Sequence, residues 1–113
     1  MGAELEDTKE IVVDSTGNVF ADLNLPASDK DMLKVKIAHA ITVTVGIRKL
    51  TQTEAAKIVG VDQAKISALM RGRLKGFTIE RLIGILMLLG RDIDVNISKT
   101  HMHRPGKLSV HAS

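Results

Sequence analysis

The sequence predicts a mainly α fold, a bundle of four to five helices followed by a short C-terminal β-strand or hairpin. Two patterns carry that prediction. Between about residues 29 and 89, apolar residues recur at helical spacing, in segments that begin at capping residues and end at glycines. After Gly90 the period drops to two, with polar and apolar residues alternating strictly from Asp92 to Ser98. A chain of 113 residues, 44% hydrophobic and 26% charged, has room for one core and needs no disulfide or metal to hold it. The expected layout is an acidic, loosely ordered arm over residues 1–27, a helical domain over 28–90, and a β segment with a basic tail over 91–113.

Each element has a local reason. In the arm, Ile11–Val13 and then Val19, Phe20 and Leu23 are short apolar patches separated by Asp14-Ser15-Thr16-Gly17-Asn18, a run of turn-forming residues. Pro26 closes it. Ser28 then reads as an N-cap with Asp31 at the third helical position. Leu33, Ile37, Ile41 and Val45, four apart, define a helix from about Asp29 to Arg48. Ile41 to Ile47 also alternates and is rich in β-branched residues, as a strand would be, but the helical frame before it favours helix. Thr51-Gln52-Thr53-Glu54 is a capping box that opens a short helix ending at Gly60. Asp62 is placed to cap a second short helix, which runs to about Arg71 and stops at Gly72. Phe77 and Leu82 flank Thr78 at the spacing of a hydrophobic staple, and the helix it starts runs to Leu89. Leu108 to Ala112, after Pro105-Gly106, could supply a hairpin partner for the strand at 92–98.

Charge and composition narrow the function classes. Residues 1–31 hold eight acids and two lysines, a net −6, whereas the rest holds 14 basic residues against five acids, a net +9. A basic body suits a polyanion, although a charged face can simply be solvated. The acidic leader suits either solvent or a basic protein. With only Phe20 and Phe77 as aromatics, no stacking platform for single strands or RNA is available. The absence of cysteine excludes thiol chemistry and Cys-based metal sites. His101 and His103 lack a neighbouring carboxylate or thiolate, which makes a poor metal site, and His39 reads as a packed core histidine. No nucleophile frame, phosphate loop or carboxylate pair supports an enzyme, and no cofactor is expected. The first residues are acidic rather than basic, so no signal peptide is expected. The longest uncharged apolar run, Leu82–Gly90, has nine residues, too few to span a bilayer. A cytoplasmic location with no membrane partner is the expectation.

The two short helices can be tested as a helix-turn-helix. Counting from Gln52, the fifth residue is Ala56, where crossing helices admit only a small side chain, and the ninth is Gly60, where the turn needs positive φ. Ala55, Val59, Val61, Ile66 and Leu69 face inward, and Gln63, Ala64, Lys65, Ser67 and Ala68 face outward. One apolar face alone would also suit a structural helical hairpin. The joint match, with the basic cluster that follows, favours DNA binding.

Leu50 to Arg73 resembles the lambda-repressor-like, Xre-family helix-turn-helix. More narrowly, Gln63-Ala64-Lys65-Ile66-Ser67 with Arg71-Gly72-Arg73-Leu74-Lys75-Gly76-Phe77-Thr78 resembles the small Xre proteins that act as HigA-type antitoxins. The likeness covers roughly residues 19–98, including Asn18 to Leu23 and Leu89 to Ile93. Ala64 departs from the polar or proline residue usual at its place, and Gly46 and Lys49 stand where the family has a polar residue and a glycine.

The resemblance implies that the helix starting at Gln63 enters the major groove. Gln63 would pair with adenine N6 and N7, Lys65 would reach guanine or a phosphate, and Ala64 and Ala68 would touch thymine methyls. Gln52, Ser67, Arg71, Arg73 and Lys75 would hold the phosphate backbone; for the three loop cations, a merely solvated loop is the competing reading. The helix at 79–89 is apolar all round, which suggests cover by a second copy through Leu82, Ile85, Leu86, Leu89, Ile93 and Val95. Such a homodimer implies a palindromic operator in double-stranded DNA. The resemblance further implies an antitoxin that represses its own operon and neutralises a small basic RelE/HigB-like RNase toxin; the acidic arm and Val19–Leu25 are the expected contact, read from charge. A stand-alone phage-type repressor is the alternative.

Overall fold

The computed structural model describes residues 26–99, 103 and 106–112. Four helices make up the described part: α1 (Ala27–Ile47), α2 (Gln52–Val59), α3 (Gln63–Met70) and α4 (Ile79–Leu88). α1 packs chiefly on α4, α2 packs on α3, and α3 also reaches α1. Expectations for the arm fall on residues 1–25, outside the described residues.

α1 starts two residues earlier than its sequence suggests. Pro26 is the N-cap, its carbonyl accepting from the N–H groups of Asp29 and Lys30 at 3.0 Å, and no side-chain cap is made, so Ser28 lies inside the helix. A proline suits this flank because its fixed φ is compatible and its missing N–H would have had no partner. The β-branched stretch is helical to Ile47. Thr42 and Thr44 donate their hydroxyls to the carbonyls of Ala38 and Ala40, at 3.1 and 2.7 Å, so neither competes with the helix for a distant partner. Leu33, Ile37, Ile41 and Val45 are all buried, the face that decides helix over strand.

The end of α1 is a Schellman motif. Leu50 N–H donates to Val45 O and Lys49 N–H to Gly46 O, both at 3.0 Å. Its left-handed residue is Lys49, at φ 56°, the one described non-glycine residue with positive φ. Arg48 Nη1 donates to Leu89 O at 3.0 Å, and Arg91 Nη1 to Thr44 Oγ1 at 3.4 Å. These bonds tie the C-terminal ends of α1 and α4 together.

The capping box at Thr51 forms as written: Glu54 N–H donates to Thr51 Oγ1 at 3.0 Å and Thr51 N–H to Glu54 Oε1 at 2.8 Å. Gly60, at φ 75°, turns the chain into α3. Asp62 occupies the N-cap of α3 without a side-chain bond; only its carbonyl serves, accepting from Lys65 and Ile66. Thr78 caps α4 by accepting from Arg81 N–H at 3.0 Å, with both staple residues, Phe77 and Leu82, buried.

Three expectations are corrected. Leu82, Ile85, Leu86 and Leu89 are core residues of the chain itself, because α4 spends that face on α1; they are not open to a second copy. The outward apolar residues of α4 are Met87 and Leu88, at 53% and 57% exposure. His39 is exposed, on the side of α1 away from Ile37 and Ile41. Residues 92–98 form no strand among the described residues, and Ile93, Val95 and Ile97 lie exposed. A strand needs a neighbour to take its N–H and C=O groups, and none lies alongside among the described residues. Residues 106–112 are likewise without strand, although Val110 reaches the core cluster.

Candidate nucleic-acid interface

Ile66 and Leu69 anchor α3 in the core, and that anchoring sets which residues are presented. Gln63, Ala64 and Lys65, the first turn, are exposed; Ser67 and Ala68 are half-buried on the flank. A helix held by its inner face with a polar and small outer face can enter a groove without losing core contacts.

Gln63 does not hang free. Its Nε2 donates to Oε1 of Gln52, the first residue of α2, at 3.0 Å. The turn at Gly60 brings the two helix starts close enough for this bond. A carboxamide offers two N–H donors and one carbonyl. With one N–H committed to Gln52, Gln63 retains one donor and its acceptor, the pair required to bridge adenine N7 and N6. Gln52 keeps its own amide hydrogens, beside the orphan N–H groups of the α2 N-terminus, where an anion is favoured.

On the flank, Arg71 Nη1 donates to Ser67 Oγ, one helical turn earlier. The bond steadies the guanidinium beside the Ser67 hydroxyl, so the two expected phosphate contacts are coupled. Arg73 and Lys75 are exposed on the loop between α3 and α4. With α3 and the start of α4, this loop encloses a concavity of about 500 Å³ lined by Val61, Lys65, Ala68, Arg73, Lys75, Gly76, Phe77, Thr78 and Arg81. Four of these nine are cations and none is a carboxylate, so the hollow attracts anions. Gly76, at φ 88°, makes the bend that carries Lys75 over it.

Arg81 is not among the residues that the sequence singles out for phosphate contact; the signal available for it is its place, three residues after the Thr78 cap and directly beyond a basic loop. Of the expected dimer residues, only Ile93 and Val95 are exposed. No group of three or more His, Asp or Glu that could hold a metal occurs among the described residues, and no described helix is long and apolar enough to cross a membrane.

Comparison with known proteins agrees with this geometry. A helix-turn-helix domain family model matches residues 19–98. A solved structure described as an XRE-family transcriptional regulator superposes with a TM-score of 0.71 at 32% identity, covering 78% of this chain and 100% of that one. No curated protein matches the chain. A recognition helix braced at its head by a glutamine pair, a glycine turn, a basic hollow and these two matches lead to one conclusion: the chain belongs to the helix-turn-helix domain family, as an Xre-type member.

Proposed function

We propose that this DNA-binding regulator is a sequence-specific repressor that acts as a homodimer on a palindromic operator, and that it serves as the antitoxin of a small basic RNase. The observation that carries the DNA reading is the Gln63–Gln52 bond at the head of α3, next to a hollow lined by four cations. Gln63, Lys65, Ala64 and Ala68 meet base edges, with Lys65 able to turn to a phosphate instead. Gln52, Ser67, Arg71, Arg73, Lys75 and Arg81 hold the backbone and fix the register.

The homodimer is supported by exposed apolar residues near the end of α4, Met87 and Leu88, and by the alternating Ile93, Val95 and Ile97. Edge pairing of residues 92–98 between two copies supplies a strand neighbour, which the described residues of one chain do not offer. The antitoxin reading is supported by the acidic segment ahead of α1, complementary to a basic ribonuclease, together with the resemblance already described.

Fluorescence anisotropy tests the first part. The protein is titrated into a labelled duplex from its own upstream region and into a scrambled duplex at physiological salt. A preference of about a thousandfold or more is expected for the true site. Equal, weak binding to both overturns autonomous operator recognition. For the second part, an adjacent gene for a small basic protein is expected, whose product co-purifies with this chain and loses RNase activity in the complex. Tight operator binding with no such neighbour favours a stand-alone repressor.

A further inference from the structure

α1 has two apolar faces, and the core uses one. Opposite the buried residues run Met32, Val35, His39, Val43, Gly46 and Ile47, spaced by three and four so that they form one stripe. Met32, Val35, Val43 and Ile47 are 60%, 55%, 38% and 69% exposed. A helix facing water on that side would be expected to place polar residues there. Between Met32 and Lys49 the chain carries Lys34, Lys36, Arg48 and Lys49 and no carboxylate, and Lys36 lies within the stripe.

The segment that runs into this helix has the opposite character. Residues 1–25 hold six carboxylates against one lysine, a net −5, and they contain Ile11–Val13, Val19, Phe20 and Leu23. Of the two aromatic residues, Phe77 is in the core and Phe20 is in this segment. The match to the family domain starts at residue 19, eight residues ahead of α1, so the second patch is part of the domain.

We propose that residues 11–25 fold back in cis along the outer stripe of α1. Reach and register agree. Six residues from Phe20 to Pro26 span at most ~20 Å, enough to bring Phe20 over Met32, Val35 or His39 but not Ile47. Ile11–Val13, about 14 residues from Pro26, have ~46 Å of chain, more than the ~32 Å length of α1, and reach Val43 and Ile47. The tether makes the contact intramolecular, so it needs little affinity of its own. The proposal is independent of the DNA reading, since the stripe lies opposite the face that packs on α3 and α4.

The absence of cysteine makes the test clean. A nitroxide is placed on Ser15→Cys, between the two apolar patches, in isotope-labelled full-length protein, and amide signals are compared with the nitroxide oxidised and reduced. The amides of Val35, His39 and Val43 are expected to lose intensity, while those of Ile66 and Leu69 keep it. The double variant Val35→Asp/Val43→Asp places carboxylates on the exposed stripe. It is expected to restore the intensity with the α2 and α3 shifts unchanged. No loss on α1 in the free chain overturns the proposal and leaves the stripe to a partner protein. Loss that survives the double substitution also overturns it. So does loss in a mixture of nitroxide-bearing unlabelled chains with labelled unmodified ones, which would assign the stripe to a second copy.

Discussion

Gln63 and Lys49 show what one residue decides. The Gln63 carboxamide is already turned by Gln52, so part of the ordering cost of the proposed groove contact is met before DNA arrives. Gln63→Ala is expected to cost about 1–3 kcal/mol on the true site and almost nothing on a scrambled duplex, read by anisotropy. Gln52→Ala leaves Gln63 in place but unbraced, so it too is expected to narrow the gap between the two duplexes. If Gln52→Ala weakened both duplexes equally, Gln52 would be a phosphate contact alone. Lys49 sits at φ 56°, where a β-carbon is strained and the end of α1 calls for glycine. Lys49→Gly is expected to stabilise the fold by about 0.5–1 kcal/mol, the relieved strain exceeding the entropy that glycine adds to the unfolded chain. The urea midpoint should rise with unchanged slope, and a lower midpoint would refute the strain argument.

At the scale of the element, α4 sorts two kinds of leucine that look alike in the sequence. Leu82 is fully buried beneath α1, whereas Leu88, six residues on, is 57% exposed. Leu82→Ala is therefore expected to cost about 2–5 kcal/mol in urea denaturation of the isolated chain. Leu88→Asp should leave the fold of the single chain nearly unchanged while lowering the sedimentation mass of the proposed homodimer. A Leu88→Asp chain that sedimented like wild type would remove Leu88 from the proposed interface. This division was not legible beforehand. Apolar periodicity says that a helix is covered, not by what, and α4 reads as apolar all round until α1 is laid against it. The helix-turn-helix was legible because its constraints are local: a capping box, an alanine at a crossing, a glycine at positive φ and an apolar inner face are each visible within a few residues. The same locality misled at the edges. Ser28 and Asp62 are the right residue types beside helix starts, yet a proline carbonyl and a backbone carbonyl accept there instead. The alternation at 92–98 states only a preference for pairing, and pairing requires a neighbour that the described residues do not supply. Arg81 joins the basic hollow only once the loop is folded beside it.

For the whole molecule, salt dependence joins the basic hollow to the oligomeric state. Each phosphate neutralised releases counterions, so the logarithm of the binding constant falls with the logarithm of salt at a slope of about −0.9 per contact. Arg81 lines the hollow together with Lys65, Arg73 and Lys75, apart from the residues assigned to base edges alone. Arg81→Ala should therefore weaken the true and scrambled duplexes alike, leaving their ratio unchanged. The change in slope counts the copies bound. One copy on the duplex loses one contact, and the slope becomes shallower by about 0.9; a two-fold dimer loses two, a change of about 1.8. On a duplex carrying the full palindrome, the larger change is expected. On a half-site duplex, where one recognition helix is engaged, the smaller change is expected from the same protein. A change of about 0.9 on both would mean that one copy reads the operator, and no change on either would mean that the hollow does not touch the backbone.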